Sequence, residues 1–296
     1  MEGLSSAVDR VTDDLRETGE MVAFKHSIFA LPFAIISLLT AAAPSWPSLR
    51  SWLWVGVAMV SARTAAMAFN RLVDHRVDAE NPRTADRSLP AGRLSRRSAW
   101  VVTGTSAVLF VVAAAALNRL CLILAVPTLA ILLGYSFAKR FTAASHLWLG
   151  LGLAIAPVGA WIAVTGRVDW APVVLAGAVC LWVAGFDIIY SLQDEAFDRA
   201  HGLYSLPARL GGRRALMMAR GAHALAFVGF LAFAAAAGGG PFRLAAVAIA
   251  GALLAWQHRL ISADDLTAVN AAFFSANGTL ALMMGVLFFV ARIFES

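Results

Sequence analysis

The sequence is poor in charge. Asp, Glu, Lys and Arg make up 14% of its 296 residues, against about a quarter in soluble domains. That shortage excludes a disordered chain, a coiled coil and an ordinary soluble domain. Cysteine is nearly missing. Cys121 and Cys180 both lie inside apolar runs, so no disulfide framework or zinc site can be built from them, and they read as small buried residues. Tyrosine is scarce too, with three residues against nine Trp and eighteen Phe. The start of the chain lacks the basic, early-apolar character of a signal peptide. Residues 1–21 carry Glu2, Asp9, Asp13, Asp14, Glu17 and Glu20 against Arg10 and Arg16. They read as an acidic cytoplasmic tail or a short surface helix, ahead of a single domain over 22–296.

What fills the chain is apolar. Hydrophobic residues reach 60%, against roughly 45–50% in soluble domains. A bilayer-spanning helix needs about 20 mostly apolar residues. Nine segments qualify as candidates, at about 24–43, 51–70, 98–117, 119–137, 146–165, 170–190, 215–237, 242–258 and 268–291. The pattern predicts an all-α, polytopic membrane protein. Asn118-Arg119 is the only polar break in 98–137 and predicts a tight helical hairpin. Ser45-Trp46-Pro47, Gly166-Arg167 and Gly238-Gly239-Gly240-Pro241 are further turns. Gly150, Gly152, Pro157 and Gly159 suit close helix packing.

Orientation follows from Lys and Arg. With the N-terminus inside, the inner loops hold fourteen: Arg71, Arg76, Arg83, Arg87, Arg93, Arg96, Arg97, Lys139, Arg140, Arg199, Arg209, Arg213, Arg214 and Arg259. The outer loops hold four: Arg50, Arg119, Arg167 and Arg243. That bias satisfies the positive-inside rule. It also accounts for the net charge of +6 without nucleic acid as a partner.

Two segments break the apolar pattern, and both follow helices that run inward. The first holds Asn70, Asp74 and Asp78, and the second Tyr190, Asp194 and Asp198. Residues at i and i+4 share a helix face, where two like charges repel unless a cation lies between them. Oxygen ligands with no Cys and little His suit Mg²⁺. Both motifs are expected on the cytoplasmic side, so four carboxylates could face one cavity. Arg83 and Arg87 follow the first motif, Arg199 follows the second, and Lys139 and Arg140 end the fourth apolar segment on the same side. Carboxylates, Mg²⁺ and such cations together grip a diphosphate and neutralise charge on it as it departs. Arg63 and Asp187 lie seven residues before Asn70 and Asp194, about 10 Å deeper along their helices. Intramembrane charges imply a function or a partner, and these two could pair with each other. His146, at a helix entry, reads as interfacial.

At these residues the chain resembles the UbiA-type intramembrane aromatic prenyltransferases. That family's first motif runs Asn-x₃-Asp-x₃-Asp, then Arg-Thr, then Arg-x-Leu-Pro-x-Gly. Here it is Asn70, Asp74, Asp78, Arg83-Thr84 and Arg87-Ser88-Leu89-Pro90-Ala91-Gly92. The second motif runs Asp-x₂-Tyr-x₃-Asp-x₃-Asp with a later Gly and Ser. Here it is Asp187, Tyr190, Asp194, Asp198, Gly202 and Ser205. Further likeness to the 4-hydroxybenzoate and 1,4-dihydroxy-6-naphthoate branch lies in Phe24–Phe33, Ala66–Arg71 and Ala156–Trp161. Two lysines common after the second motif in 4-hydroxybenzoate enzymes are replaced by Ala200 and Tyr204.

The resemblance implies helices around a central cavity open to the cytoplasm, in a bacterial inner membrane. It implies transfer of a polyprenyl group from polyprenyl diphosphate to an aromatic acid, in ubiquinone or menaquinone biosynthesis. Asp74, Asp78, Asp194 and Asp198 would hold Mg²⁺, with Asn70 assisting. Arg83, Arg87 and Lys139 would bind the diphosphate, with Tyr190 and Arg199 beside it. Asp187 would orient or deprotonate the acceptor, and Arg63 would bind its carboxylate. Besides these substrates and the lipid bilayer, no obligate protein partner is expected. An ion-coupled transporter is the reading from a different class. Such proteins place their acids near the midplane on broken helices, whereas these four acids cluster at one membrane face.

Overall fold

The computed structural model describes Gly19, residues 29–263 and residues 265–295, without the side chains of residues 271 and 272. Apart from Gly19, the acidic segment 1–21 lies outside the described residues. So do residues 24–28 of the first expected span.

Among the described residues every regular element is helical. In chain order they are α1 (Leu31–Ala42), α2 (Leu49–Glu80), α3 (Arg96–Leu117), α4 (Arg119–Ala138), α5 (Ser145–Thr165), α6 (Trp170–Ser191), α7 (Glu195–Ala200), α8 (Leu206–Leu210), α9 (Gly212–Ala236), α10 (Pro241–Leu260) and α11 (Asn277–Phe294). A 3₁₀ turn, Leu192–Asp194, joins α6 to α7. A helical turn, Val269–Ala271, and a π turn, Ala272–Ala276, lead into α11. Within lipid a helix satisfies all its own backbone polar groups, which is why apolar runs of this length take that form.

Among the described residues seven helices are long and apolar enough to cross a bilayer. The expected spans 24–43 and 242–258 fall on α1 and α10. Twelve residues of α1 are described, and α10 ends on Gln257, His258 and Arg259; neither is among the seven. The outward faces suit lipid. Val108 on α3 and Val126 on α4 are 64% and 67% exposed, an arrangement that water would penalise.

The expected hairpin forms at one residue. Asn118 ends α3 and caps α4, its Oδ1 accepting from the Cys121 amide at 2.9 Å. Its Nδ2 donates to the Ile162 carbonyl at 2.7 Å and ties the hairpin to α5. The other expected turns also fall between helices, and Gly166, Gly238, Gly239 and Gly240 all take positive φ.

The core lies where α1, α6, α9 and α11 meet. Phe33, Trp182, Phe230, Leu280 and Met284 are fully buried there. Phe33 stacks on Phe230 with ring centroids 5.6 Å apart. Because lipid is as apolar as these side chains, close packing rather than water exclusion holds such helices together. Gly150 shows how close. A Cβ there would sit 2.2 Å from the Cys180 carbonyl oxygen, so only glycine lets α5 meet α6. The same expectation fails at Gly159, where nothing lies within 4 Å, and Gly152 makes only ordinary contact with Leu132.

Helix α2 positions the site. Its 32 residues extend about 48 Å, well beyond the roughly 30 Å hydrocarbon core. The expected span 51–70 therefore continues unbroken to Glu80. It carries Asn70, Asp74 and Asp78 on rigid helix rather than in a loop.

Candidate active site

On α2 the like charges at i and i+4 are kept stable by partners. Asn70 Nδ2 donates to Asp74 Oδ2 at 2.8 Å, and Arg140 Nη2 reaches Asp74 Oδ1 at 3.2 Å from just beyond the end of α4. Asp78 is buried and accepts from Arg87 Nη1 on both oxygens, at 2.7 and 2.9 Å. Arg71, about two turns past Arg63 on the same helix, lies 3.7 Å from Asp78. Thr84 Oγ1 donates to the Asp78 carbonyl at 3.0 Å. The segment after α2 is thus folded back onto the motif that precedes it.

The second motif does not lie on one continuous helix, as its spacing suggested. Helix α6 gives way at Leu192 to the 3₁₀ turn, and α7 restarts at Glu195. The cause is tertiary. Asp194 occupies the N-cap position of α7 yet makes no capping hydrogen bond. Its carboxylate is drawn instead to Arg83, which donates from Nε at 3.0 Å and from Nη2 at 2.6 Å. Asn81 Nδ2 also approaches Asp194, at 3.4 Å, while Asn81 Oδ1 accepts from the Arg83 amide at 2.9 Å and fixes the turn. Arg83 Nη1 donates to the Tyr190 hydroxyl at 3.1 Å. Burial alone would lower the Arg83 guanidinium, but the hydrogen bonds and charge of Asp194 outweigh it and hold it above its ordinary value.

A two-pronged guanidinium–carboxylate bond therefore joins motifs 111 residues apart. Asp78, Asp194 and Asp198 are 7%, 6% and 2% exposed. Lys139 Nζ lies 3.9 Å from Asp198 Oδ2. That oxygen is buried and has no hydrogen-bond partner, an open position for a cation. The donor set is all oxygen, which fits a hard divalent ion. As arranged, arginines supply the positive charge. Among the described residues no three Asp, Glu, His or Cys side chains converge to hold an ion.

The remaining expected residues divide. Tyr135 on α4 lies within electrostatic reach of Asp187, Asp74, Arg71 and Arg87, so Asp187 belongs to the same neighbourhood as the first motif. The Asp187 carboxylate goes to His146, not to Arg63, with Nδ1 to Oδ2 at 2.6 Å. Arg63 sits half-buried on α2. Arg199 turns away from the carboxylates, to Glu195 at 2.8 Å and the Ala208 carbonyl at 3.4 Å.

The amino-acid pattern of the UbiA prenyltransferase family matches residues 30–286. The chain belongs to that family. A UbiA homologue from Aeropyrum pernix K1, solved in its apo form, is 34% identical with a TM-score of 0.82, over 90% of this chain and 98% of that one. A UbiA homologue from Archaeoglobus fulgidus, solved with DMAPP and Mg²⁺, shares the fold with a TM-score of 0.76 at 17% identity, over 94% and 99% of the two chains. The 4-hydroxybenzoate octaprenyltransferase of Nitrosomonas europaea is 32% identical over 149 residues, 50% of this chain and 51% of that protein. The chain spans about half the length of the curated relatives it matches.

In this UbiA-family chain, sequence reasoning missed Asn81 and His146 as site residues, and it named Arg140 beside Lys139 without giving it a ligand role. The contact of Arg140 with Asp74 shows only once α4 and α2 are placed side by side. Asn81 carries a usable signal, since Asn-Pro starts turns. His146 is 1% exposed, not interfacial, and only its partner on α6 reveals that.

Proposed function

We propose that the chain is a Mg²⁺-dependent prenyltransferase. It transfers a polyprenyl group from polyprenyl diphosphate to an aromatic acid of the 4-hydroxybenzoate type, in quinone biosynthesis. The reading places nine spans in a bacterial inner membrane, with the site facing the cytoplasm. The observation that carries it is the Arg83–Asp194 bridge, which brings both acidic motifs and their cations to one end of the bundle. The names of the 4-hydroxybenzoate octaprenyltransferases and of the DMAPP- and Mg²⁺-bound homologue support it.

Asp74, Asp78, Asp194 and Asp198, with Asn70, would hold Mg²⁺. When bound, the ion supplies Lewis acidity at the diphosphate oxygens. Arg83 and Arg87 turn from their carboxylates to the diphosphate, joined by Lys139, and neutralise it as it leaves. Tyr190 keeps Arg83 oriented during that exchange. Buried apolar walls keep water from the allylic carbon. The C–O bond breaks with its electron pair left on diphosphate, and a ring carbon supplies the pair for the new C–C bond. The ring C–H pair then restores aromaticity as the proton passes to Asp187. Arg63 grips the acceptor carboxylate.

The absence of lysine at Ala200 and Tyr204 favours a second acceptor, 1,4-dihydroxy-6-naphthoate. Membranes holding the protein are incubated with labelled polyprenyl diphosphate, Mg²⁺ and either acid. One acid becoming lipid-soluble supports the reading and names the acceptor; neither doing so refutes it.

A further inference from the structure

The structure assigns a role to His146 that rests on the reading of Asp187 as the group that receives the acceptor's proton. His146 is a positioning residue that fixes the Asp187 carboxylate, with one oxygen committed and the other open.

The geometry fixes the proton on the ring. The Leu206 amide points at His146 Nε2 at 3.2 Å. A backbone N–H can only donate, so Nε2 carries a lone pair. A neutral imidazole then has its single proton on Nδ1, and Nδ1 donates to Asp187 Oδ2 at 2.6 Å. An imidazolium would set a second N–H against that of Leu206. The contact is therefore a neutral donor on a carboxylate and does not cancel its charge.

Asp187 Oδ1 makes no hydrogen bond among the described residues, and the side chain is 15% exposed. One oxygen is thus anchored and the other left for an incoming donor. The ring itself cannot drift: His146 is 1% exposed at the start of α5. The same ring also reaches the segment after the second motif. Leu206 opens α8, where the first amides have no partner within the helix. Two residues earlier, the Tyr204 amide donates to the Lys139 carbonyl at 2.7 Å. His146 therefore links the deep carboxylate to the strap that closes the diphosphate end.

Two substitutions separate the two hydrogen bonds. The amide of H146N reaches where Nδ1 lies and can still donate to Asp187. The longer H146Q reaches where Nε2 lies and can accept from Leu206, but not serve Asp187. Full-length protein in proteoliposomes is assayed with both substrates varied, with D187N alongside. H146Q is expected to lower kcat about 100-fold with the diphosphate KM and Tm nearly unchanged, and H146N to stay within about fivefold of wild type. Retention of wild-type kcat by H146Q overturns the assignment, as does equal loss in both variants together with a lower Tm. Wild-type turnover in D187N overturns it too, while leaving prenyl transfer intact.

Nitrogen NMR of ¹⁵N-histidine-labelled protein gives a readout independent of turnover, with the His146 signals assigned by their loss in H146Q. Protonated Nδ1 with bare Nε2 is the expected signature. A protonated Nε2 refutes the assignment even if the protein proves inactive with both acids.

Discussion

Asp74 and Asp194 sit in opposite halves of the chain, and each is held by a cation from another element, Arg140 and Arg83. Removing either carboxylate takes an oxygen ligand from the proposed ion site and leaves a guanidinium without its partner. Asp74→Ala and Asp194→Ala should each lower kcat at least about 1,000-fold, roughly 4 kcal/mol of lost stabilisation of the departing diphosphate. Both proteins should still insert and purify; Mg²⁺-independent turnover in either would refute the ion site. Arg63 answers a different question. Lysine cannot reproduce the two-pronged grip of guanidinium on a carboxylate, so Arg63→Lys should raise the KM for the aromatic acid about 10- to 100-fold. The KM for the diphosphate should stay unchanged, as steady-state kinetics with each substrate varied would show. At this scale the acidic residues were legible from their four-residue spacing, and Arg83 and Arg87 from their place just after the first motif. His146 was not, since its partner lies 41 residues away on another helix.

At the scale of elements, α5 and α6 offer a test with its own control. Gly150→Ala would force α5 off the Cys180 carbonyl, an overpacking expected to cost about 1–3 kcal/mol. Thermal unfolding in detergent should drop by several degrees. Gly159→Ala, with open space around it, should leave the transition where it is or raise it slightly, since alanine is the better helix former. An unchanged Gly150→Ala protein would contradict the close crossing. The α3–α4 hairpin was readable because Asn118 both stops one helix and caps the next, a local property of the residue. The 3₁₀ turn at Leu192–Asp194 was not, because local spacing favours a continuous helix and a pull from Arg83, far off in sequence, decides otherwise. The length of α2 was half legible: the apolar run sets where it enters the membrane. Its extension to Glu80 depends on Asn70–Asp74 and Arg71–Asp78 pairs that hold a polar helix together.

Over the whole molecule, the ends of α2, α4 and α6 and the starts of α3, α5 and α9 share one face. Positive charge was the legible clue to that face, because a membrane sorts Lys and Arg by side. The account predicts its sidedness. In a protein lacking Cys121 and Cys180, single cysteines at Ser95 and Ala200, both exposed, should react with an impermeant thiol reagent only from the cytoplasm. One at Ser48 should react only from outside. Labelling of Ser95 and Ala200 from opposite sides would separate the motifs that the Arg83–Asp194 bridge joins.

The central claim is that both acidic motifs build a single diphosphate site. Equilibrium binding of a non-reactive polyprenyl diphosphate analogue in Mg²⁺ tests it most directly, in wild type, Asp74→Ala and Asp194→Ala. One shared site predicts that each substitution alone weakens binding by at least about 100-fold, near 3 kcal/mol, and that the double variant is little worse than either single. Wild-type affinity in one of the two single variants would mean that its motif lies outside the site, and would contradict the account.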